Sequence, residues 1–239
     1  MKIKLPKSYN FNQGEEVIDL EQFITSLELI DDEANASRNI YLYGEIVPST
    51  ALKISESIEL INSIDDELEN KEKGYVREPI NIFIDTVGGY CSAGSSIITA
   101  IKRSKTQVNG IVTGTCYSMG VPVLLACDRR YSSSMGIFMI HSVSVESVSA
   151  SSLKGYEYAL ESTKLVQKLI KQFIKRELNG KSKFYDNIVD SDRDVYFDQY
   201  DALEYGIIDN IDYEFMSADK ELVKEKSKRK RNKRRKSSK

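Results

Sequence analysis

Residues 80–104 read "INIFIDTVGGYCSAGSSIITAIKRS" and predict a strand, a glycine turn and a helix in direct succession. "INIFID" (80–85) has the pattern of a strand, and "CSAGSSIITAIKRS" (91–104) has the pattern of a helix. The two adjacent glycines between them allow the backbone to approach a ligand closely, and amide groups at a helix start face anions. A plain tight turn is the alternative. Neither GxGxxG nor GxxxxGK[ST] is present, so this is not a phosphate loop.

The same alternation of strand and helix continues on both sides of this stretch. The sequence predicts strands over 39–46, 107–114 and 136–140, and helices over 51–69, 118–128 and 156–178. A short helix begun by Asp198 and stopped by Gly206 leads to a closing strand. This order predicts an α/β domain with largely parallel strands and right-handed crossovers, in which sites form at the carboxyl ends of the strands.

Composition is that of an ordinary globular chain. The 239 residues, 41% of them hydrophobic, suffice for a sizeable core. No run approaches the length of a membrane span, and the first twenty residues lack the apolar stretch of a signal peptide, so we expect no membrane contact and a cytoplasmic or organelle-interior location. Three widely spaced cysteines without a CxxC pattern predict reduced core thiols rather than a disulfide or a metal site.

The end of the chain is strongly basic. Every charged residue after position 225 is lysine or arginine, although the whole chain has a net charge of −2, so the body is acidic. A basic run without apolar residues cannot bury a core and predicts a disordered tail. Contact with nucleic acid is the alternative to a solvated tail, but the run contains no aromatic residue on which bases would stack.

A serine lies between a predicted strand and a predicted helix in "GTCYSMG" (114–120). In that position the Oγ of Ser118 would emerge at the positive end of the helix dipole, beside the N–H of Met119. The stretch is half of a nucleophile elbow, because Gly120 is present but Cys116 occupies the first glycine position of G-x-S-x-G. Ser118 is therefore a candidate nucleophile, and a helix cap is the alternative.

The single histidine of the chain, His141, directly follows the predicted strand at 136–140. One histidine excludes any site that needs two imidazoles. If imidazole activates Ser118, His141 must supply it, and "VDSDRD" offers Asp190, Asp192 and Asp194 as the orienting carboxylate. The order serine, histidine, aspartate differs from those of chymotrypsin, subtilisin and the α/β-hydrolases. A structural histidine at a strand end is the alternative.

Five blocks of the sequence together resemble the ClpP family, the proteolytic subunits of the ATP-dependent Clp protease. They are "NIYLYGEI", "INIFIDTVGGYCSAG", "GTCYSMG", "FMIHS" and "DSDRDVYFDQYDALEYGIIDNI", in the family's order, within residues 38–213. The resemblance implies a crotonase-like α/β fold with repeated β-β-α units and a projecting handle helix. It also implies a homo-oligomer of two stacked heptameric rings, which hydrolyses unfolded polypeptides delivered by an AAA+ unfoldase.

The resemblance assigns a role to each candidate residue. It implies Ser118 as nucleophile, His141 as general base and Asp190 as the orienting acid. The backbone N–H groups of Gly89 and Met119 would form the oxyanion hole. No metal and no cofactor is expected in this chain, since ATP is used by the partner unfoldase.

The chain departs from the family pattern at several positions. Val87 stands where the family usually has proline, Tyr117 stands where it has a small residue, and "SVSVESVSASS" replaces a glycine-rich stretch after the histidine. We expect a divergent N-terminal segment over 1–37, a peptidase domain over 38–218 and a basic tail over 219–239. The Lys-, Asn- and Ile-rich composition is typical of an AT-rich genome, such as that of a bacteriophage or a plastid; in a plastid the location would be the stroma.

Three other functions are compatible with the same fold. A crotonase-type acyl-CoA enzyme shares the paired oxyanion donors but needs no serine, histidine and aspartate set. A non-catalytic ring subunit would keep the fold and lose that set, whereas all three positions are filled here. A capsid-maturation protease of the same fold would use the same residues, and the sequence does not separate it from a Clp-type subunit.

Overall fold

The computed structural model describes residues 38–144, 152–178 and 193–211. The predicted N-terminal segment, the basic tail and the helix end expected at Asn179 and Gly180 lie outside these residues. Within the described residues there are seven strands and five helices. In chain order they are β1 (Asn39–Ile46), α1 (Pro48–Lys71), β2 (Ile80–Gly89), α2 (Cys91–Arg103), β3 (Val108–Tyr117), α3 (Gly120–Ala126), β4 (Arg129–Ser132), β5 (Ile137–Ile140), α4 (Leu153–Glu177), β6 (Val195–Asp198), α5 (Gln199–Glu204) and β7 (Asn210–Ile211).

All strands join one sheet, and strand β3 lies at its branch point. The order is β1-β2-β3-β4-β7, with every neighbouring pair parallel. The first half of β3, Asn109–Val112, pairs with β4, whereas its second half, Thr115–Tyr117, pairs in parallel with β5. Strand β6 pairs antiparallel with β5. The predicted α/β fold with largely parallel strands is confirmed.

The core lies between the sheet and the helices. Alternation along β1 and β2 turns Leu42, Ile82 and Ile84 inward, and all three are fully buried. All seven residues of α3 are buried as well. Since burial of one large aliphatic side chain contributes about 1.5–3 kcal/mol, the segment that follows Ser118 is among the most firmly packed parts of the molecule.

A buried ion pair ties the start of β1 to helix α1. The guanidinium of Arg38 donates to both carboxylate oxygens of Asp65, at 2.9 and 2.5 Å, and Asp65 is fully buried. The hydroxyls of Thr106 and Tyr75 also donate to this carboxylate, each at 2.6 Å. Burial alone would raise the pKa of Asp65, but the hydrogen bonds from Arg38, Thr106 and Tyr75 outweigh it and lower the pKa to about 2.

Helix α4 corresponds to the predicted handle. Ser152 caps its start by accepting a hydrogen bond from the N–H of Gly155. Ile174 is its one buried residue, in its last turns, where Ile170 and Phe173 also pack against the core. Leu165 and Leu169 are 56% and 55% exposed. The handle therefore presents an apolar face that the described part of its own subunit leaves uncovered.

Apart from shifts of a few residues at element ends, the observed elements differ from the sequence prediction near the site and in the short strands. The helix expected over 118–128 begins only at Gly120, because Ser118 has φ +50°, a left-handed conformation that a helix excludes. Strands β4 and β6 were not predicted, since four residues are too few to show a period. Strand β2 continues to Gly89 because its pairing with β1 includes both glycines.

Candidate active site

Ser118 lies on a strained turn between β3 and α3. It is the one residue other than glycine with positive φ among the described residues. Its N–H donates to the carbonyl of Met139 at 2.8 Å, which continues the β3–β5 pairing by one residue. A non-glycine residue in this conformation costs on the order of 1–3 kcal/mol, and such strain clusters at functional sites. Ser118 is not the cap of α3, whose N-terminus has no side-chain cap.

The glycine turn packs directly against the serine turn. A Cβ on Gly88 would lie 2.7 Å from Ser118 Cβ and 2.9 Å from the carbonyl oxygen of Tyr117. Buried Thr86 holds the turn, since its hydroxyl donates to the carbonyl of Gly44 and accepts from the N–H of Gly88 at 3.1 Å. The two glycines and the serine, which the sequence presents as separate candidates, thus belong to one site.

His141 reaches Ser118 because of strand register. Tyr117 is opposite Met139 in the parallel β3–β5 pair, and His141 follows Met139 by two residues. The Nε2 of His141 lies 2.6 Å from the Oγ of Ser118. When Nδ1 carries the ring proton, the hydroxyl donates to Nε2, which is the arrangement in which imidazole removes the proton of an attacking serine.

A carboxylate faces the other nitrogen of the ring. Oδ1 of Asp194 lies 3.6 Å from Nδ1 of His141, within ion-pair range but longer than a hydrogen bond. The antiparallel register places it there, because Ile140 is opposite Val195. Asp194 was one of three candidates from the sequence. Asp190, the acid implied by the resemblance, lies outside the described residues, so its role stays a prediction.

A small cavity of ≈ 80 Å³, with both polar and apolar walls, adjoins the serine and the histidine. Gly89 and Met119, the predicted oxyanion donors, both line it. Its other walls are mostly apolar and come from α2, α3, β5 and α4: Cys91, Pro122, Ile140, Ile170 and Ile174. Burial raises the pKa of the Cys91 thiol, which keeps this sulfur protonated and weakly nucleophilic near neutral pH.

The handle helix also contributes a polar group to this cavity. Gln167 lines it, and its side-chain oxygen accepts a hydrogen bond from the N–H of Val143, two residues after His141. Sequence reasoning missed Gln167, because on α4 it is far from His141 along the chain and no local pattern relates the two. The handle therefore contacts the histidine segment directly.

The remaining predictions concern cysteines, metals and membranes. All three cysteines are free thiols, as expected, with Cys116 and Cys127 buried. Over residues 38–144, 152–178 and 193–211 no cluster of three potential metal ligands occurs. In the same ranges, no helix combines the length and apolar character needed to cross a bilayer.

Fold and site together define an α/β protein with a serine–imidazole pair at the carboxyl ends of neighbouring parallel strands. The family model of the Clp protease matches residues 28–214. ATP-dependent Clp protease proteolytic subunit 2 of Treponema pallidum is 31% identical over 179 residues, which cover 73% of this chain and 82% of that protein. The chloroplastic subunit 3 of Arabidopsis thaliana is 26% identical over 177 residues, 73% of this chain and 52% of that protein.

A solved structure agrees with these sequence comparisons. A point mutant of ClpP1 from Listeria monocytogenes superimposes with a TM-score of 0.61 at 27% identity, over 79% of this chain and 95% of that one. The chain belongs to the Clp protease family, and it has the ClpP fold. The resemblance found in the sequence is thereby confirmed.

Proposed function

We propose that this chain is a serine endopeptidase subunit in which Ser118, His141 and an aspartate of the 190–194 segment form the catalytic set. The observation that carries the proposal is the 2.6 Å contact between Ser118 Oγ and His141 Nε2, made by a serine held at φ +50°. A hydrogen-bonded core histidine would not require a strained serine at its ring nitrogen.

The reaction follows from this geometry. Ser118 Oγ attacks the carbonyl carbon of a peptide bond while its proton passes to His141 Nε2. The imidazolium then donates that proton to the leaving amine as the C–N bond breaks, which leaves an ester on Ser118. Water attacks the ester while its proton passes to Nε2, and the imidazolium then returns a proton to Ser118 Oγ as the ester bond breaks and the acid product leaves. A carboxylate near Nδ1 stabilises the tautomer and the charge that this sequence needs.

Two backbone groups are suited to the developing oxyanion. The N–H of Met119 follows the serine directly, and Gly89 lines the same cavity from the glycine turn. Each such donor contributes typically about 3 kcal/mol to transition-state stabilisation. The neighbouring Gly88 lets the glycine turn approach the N–H of Met119 closely, because a Cβ at that position would lie 3.1 Å from the nitrogen of Met119.

The apolar walls of the cavity favour an apolar side chain on the acyl side of the cleaved bond. Ile140, Ile170 and Ile174 come from two elements and meet next to the reactive serine. The substrate class proposed here is accordingly unfolded polypeptide with apolar residues, because a folded protein buries such side chains.

Membership of the Clp protease family implies a ring assembly that works with Clp ATPases on protein substrates. Two heptameric rings of identical subunits, meeting through the handles, are the proposed form. Support comes from the exposed leucines of α4, because contiguous exposed apolar patches on monomers are rare and mark interaction surfaces. ATP hydrolysis belongs to the unfoldase, and the proposed reaction uses no cofactor in this chain. A cytoplasmic or stromal location is part of the proposal.

Labelling by a fluorophosphonate tests the catalytic proposal. We expect the wild type to be labelled at one serine and to cleave small fluorogenic peptides, and Ser118→Ala to do neither. Ser95→Ala is the matched control, since Ser95 is exposed on α2 and its hydroxyl donates to its own helix. An unlabelled, inactive wild type would instead favour a non-catalytic ring subunit.

A further inference from the structure

Two tyrosines connect the serine turn to the strand that follows the acidic segment. Tyr117 immediately precedes Ser118, and Tyr196 follows Asp194 by two residues. Their ring centroids are 5.7 Å apart and the ring planes are perpendicular at 90°. This edge-to-face arrangement is the favourable geometry for an aromatic pair.

The contact spans the strand that carries the histidine. Tyr117 is opposite Met139 on one side, and Tyr196 is opposite Met139 on the other. The two rings thus meet across β5, two residues before His141. Met139 is 8% exposed, while Tyr196 is 58% exposed. The pair joins the three strands from which Ser118, His141 and Asp194 extend.

Strand β6 is short, and its acidic end lies beyond the residues paired with β5. It has four residues, and among the strands that the structure describes it pairs with β5. On its inner side, Phe197 stacks on Phe138 at 5.4 Å and is 7% exposed, which anchors the middle of the strand in the core. Asp194 lies just beyond the paired residues and its side chain is 52% exposed. Among the described residues, the Tyr117–Tyr196 contact is the aromatic contact nearest to this end.

We propose that Tyr117 and Tyr196 are positioning residues that hold Asp194 against His141. The inference rests on the proposed serine peptidase function. A small residue before the nucleophile, as the resemblance implies for the family, could not make this contact, so the tyrosine pair is a feature of this chain. Neither ring is assigned a contact with the reacting atoms.

The single histidine permits a test that does not depend on turnover. In protein labelled with ¹⁵N-histidine and carrying no histidine tag, the two ring-nitrogen shifts report the tautomer of His141 alone. We expect the wild type to show the Nδ1–H tautomer. Tyr117→Leu and Tyr196→Leu should shift the signals towards a tautomer mixture, whereas Tyr117→Phe and Tyr196→Phe should retain the wild-type signals, because the contact needs the ring and not the hydroxyl.

Peptide hydrolysis gives the second readout. Either leucine variant should lower kcat about threefold to tenfold with KM unchanged, and the double leucine variant should lose no more than the single ones, since both remove the same contact. Tyr200→Leu, an exposed tyrosine at the start of α5, is the control and should match the wild type.

Opposite results would overturn the proposal. Wild-type ring-nitrogen shifts in both leucine variants would show that the pair does not position Asp194. A rise in KM at constant kcat would show that Tyr117 acts on substrate access, and additive losses in the double variant would show two separate roles. If the wild type hydrolyses no peptide, the proposed function fails, while the ring-nitrogen shifts still decide the role of the tyrosines.

Discussion

The main-chain N–H of Ser118 donates to the carbonyl of Met139 at 2.8 Å, and this bond joins the serine to the strand that carries His141. The side-chain contact of 2.6 Å between Ser118 and His141 is therefore built on a backbone contact of the same two strands. The pairing of β3 with β5 thus places both Ser118 and His141, and as the proposed nucleophile and base they should act as one unit.

His141→Ala should consequently cost nearly as much peptidase activity as Ser118→Ala. The double variant should be no slower than either single variant. When two residues act as a unit, removal of one already abolishes the contribution of the other. Steady-state rates on a fluorogenic peptide measure this. Independent, multiplying losses would contradict a shared mechanism, and unchanged far-ultraviolet circular dichroism would show that the fold is intact.

Gly88→Ala should abolish most activity, because its Cβ would lie 2.7 Å from Ser118 Cβ and displace the turn. Gly74→Ala is a control with almost the same backbone: φ is +88° at Gly74 and +90° at Gly88, but a Cβ on Gly74 meets no atom within 4 Å. Both variants should lose about 1–2 kcal/mol of stability from the left-handed conformation. Only Gly88→Ala should lose activity, and equal activity of the two would refute the packing argument.

The acidic segment offers two carboxylates to compare. Asp194→Asn should lower kcat by at most about tenfold, because the carboxylate is 3.6 Å from Nδ1 and half exposed, which weakens its effect on the ring. Asp190→Asn should lower kcat by about 10⁴-fold if Asp190 has the role that the resemblance implies. Rates of both variants on one peptide decide between them, and the reverse order would assign the orienting role to Asp194.

Loss of the buried carboxylate of Asp65 should destabilise the domain strongly. Asp65→Asn leaves Arg38 without its charged partner and should cost about 3–5 kcal/mol. Asp66→Asn, one residue further on, removes a partly exposed carboxylate that contacts Arg77 and Lys105 and should destabilise the domain far less, because solvent screens such pairs. Urea unfolding at pH 7 gives both values.

The low pKa of Asp65 makes the free energy of unfolding depend on pH. The pKa of Asp65 is about 2 in the folded chain, below the ordinary value of 3.8, so the ionised form favours folding. Its contribution is complete above about pH 4 and is lost as the pH falls towards 2. The difference in unfolding free energy between wild type and Asp65→Asn should therefore shrink between pH 4 and 2. A constant difference would contradict the predicted linkage.

The apolar face of the handle should control assembly. Leu165→Asp with Leu169→Asp places two charges on residues that are more than half exposed, so the subunit core is unaffected. We expect single rings or monomers with little activity. Lys164→Asp with Lys175→Asp, on another face of α4, introduces the same two aspartates as a control and should leave the assembly unchanged. Native mass spectrometry measures both, and an active double ring in the leucine variant would remove the handle from the interface.

The sequence predicted the serine and the histidine because strand, turn and helix signals are local. Ser118 and His141 both follow apolar runs, and neighbouring parallel strands end on the same edge of a sheet. The contact between Asp194 and His141 depends on the pairing of β6 with β5. A strand of four residues is too short to show a period in the sequence, so this pairing could not be predicted. Gln167 and the tyrosine pair escaped prediction for the same reason, since each contact joins distant segments through tertiary packing.

Strand β3 pairs with β4 in its first half and with β5 in its second half, and the second pairing limits how Ser118 and His141 can move. Ser118 and His141 shift only together unless the β3–β5 hydrogen bonds break, whereas β6 pairs along a single edge. Asp194 is thus the group that can withdraw while every bond between β3 and β5 remains. In the proposed peptidase, a displacement of β6 alone would lower the rate no further than Asp194→Asn does, and the serine and the imidazole would stay in contact.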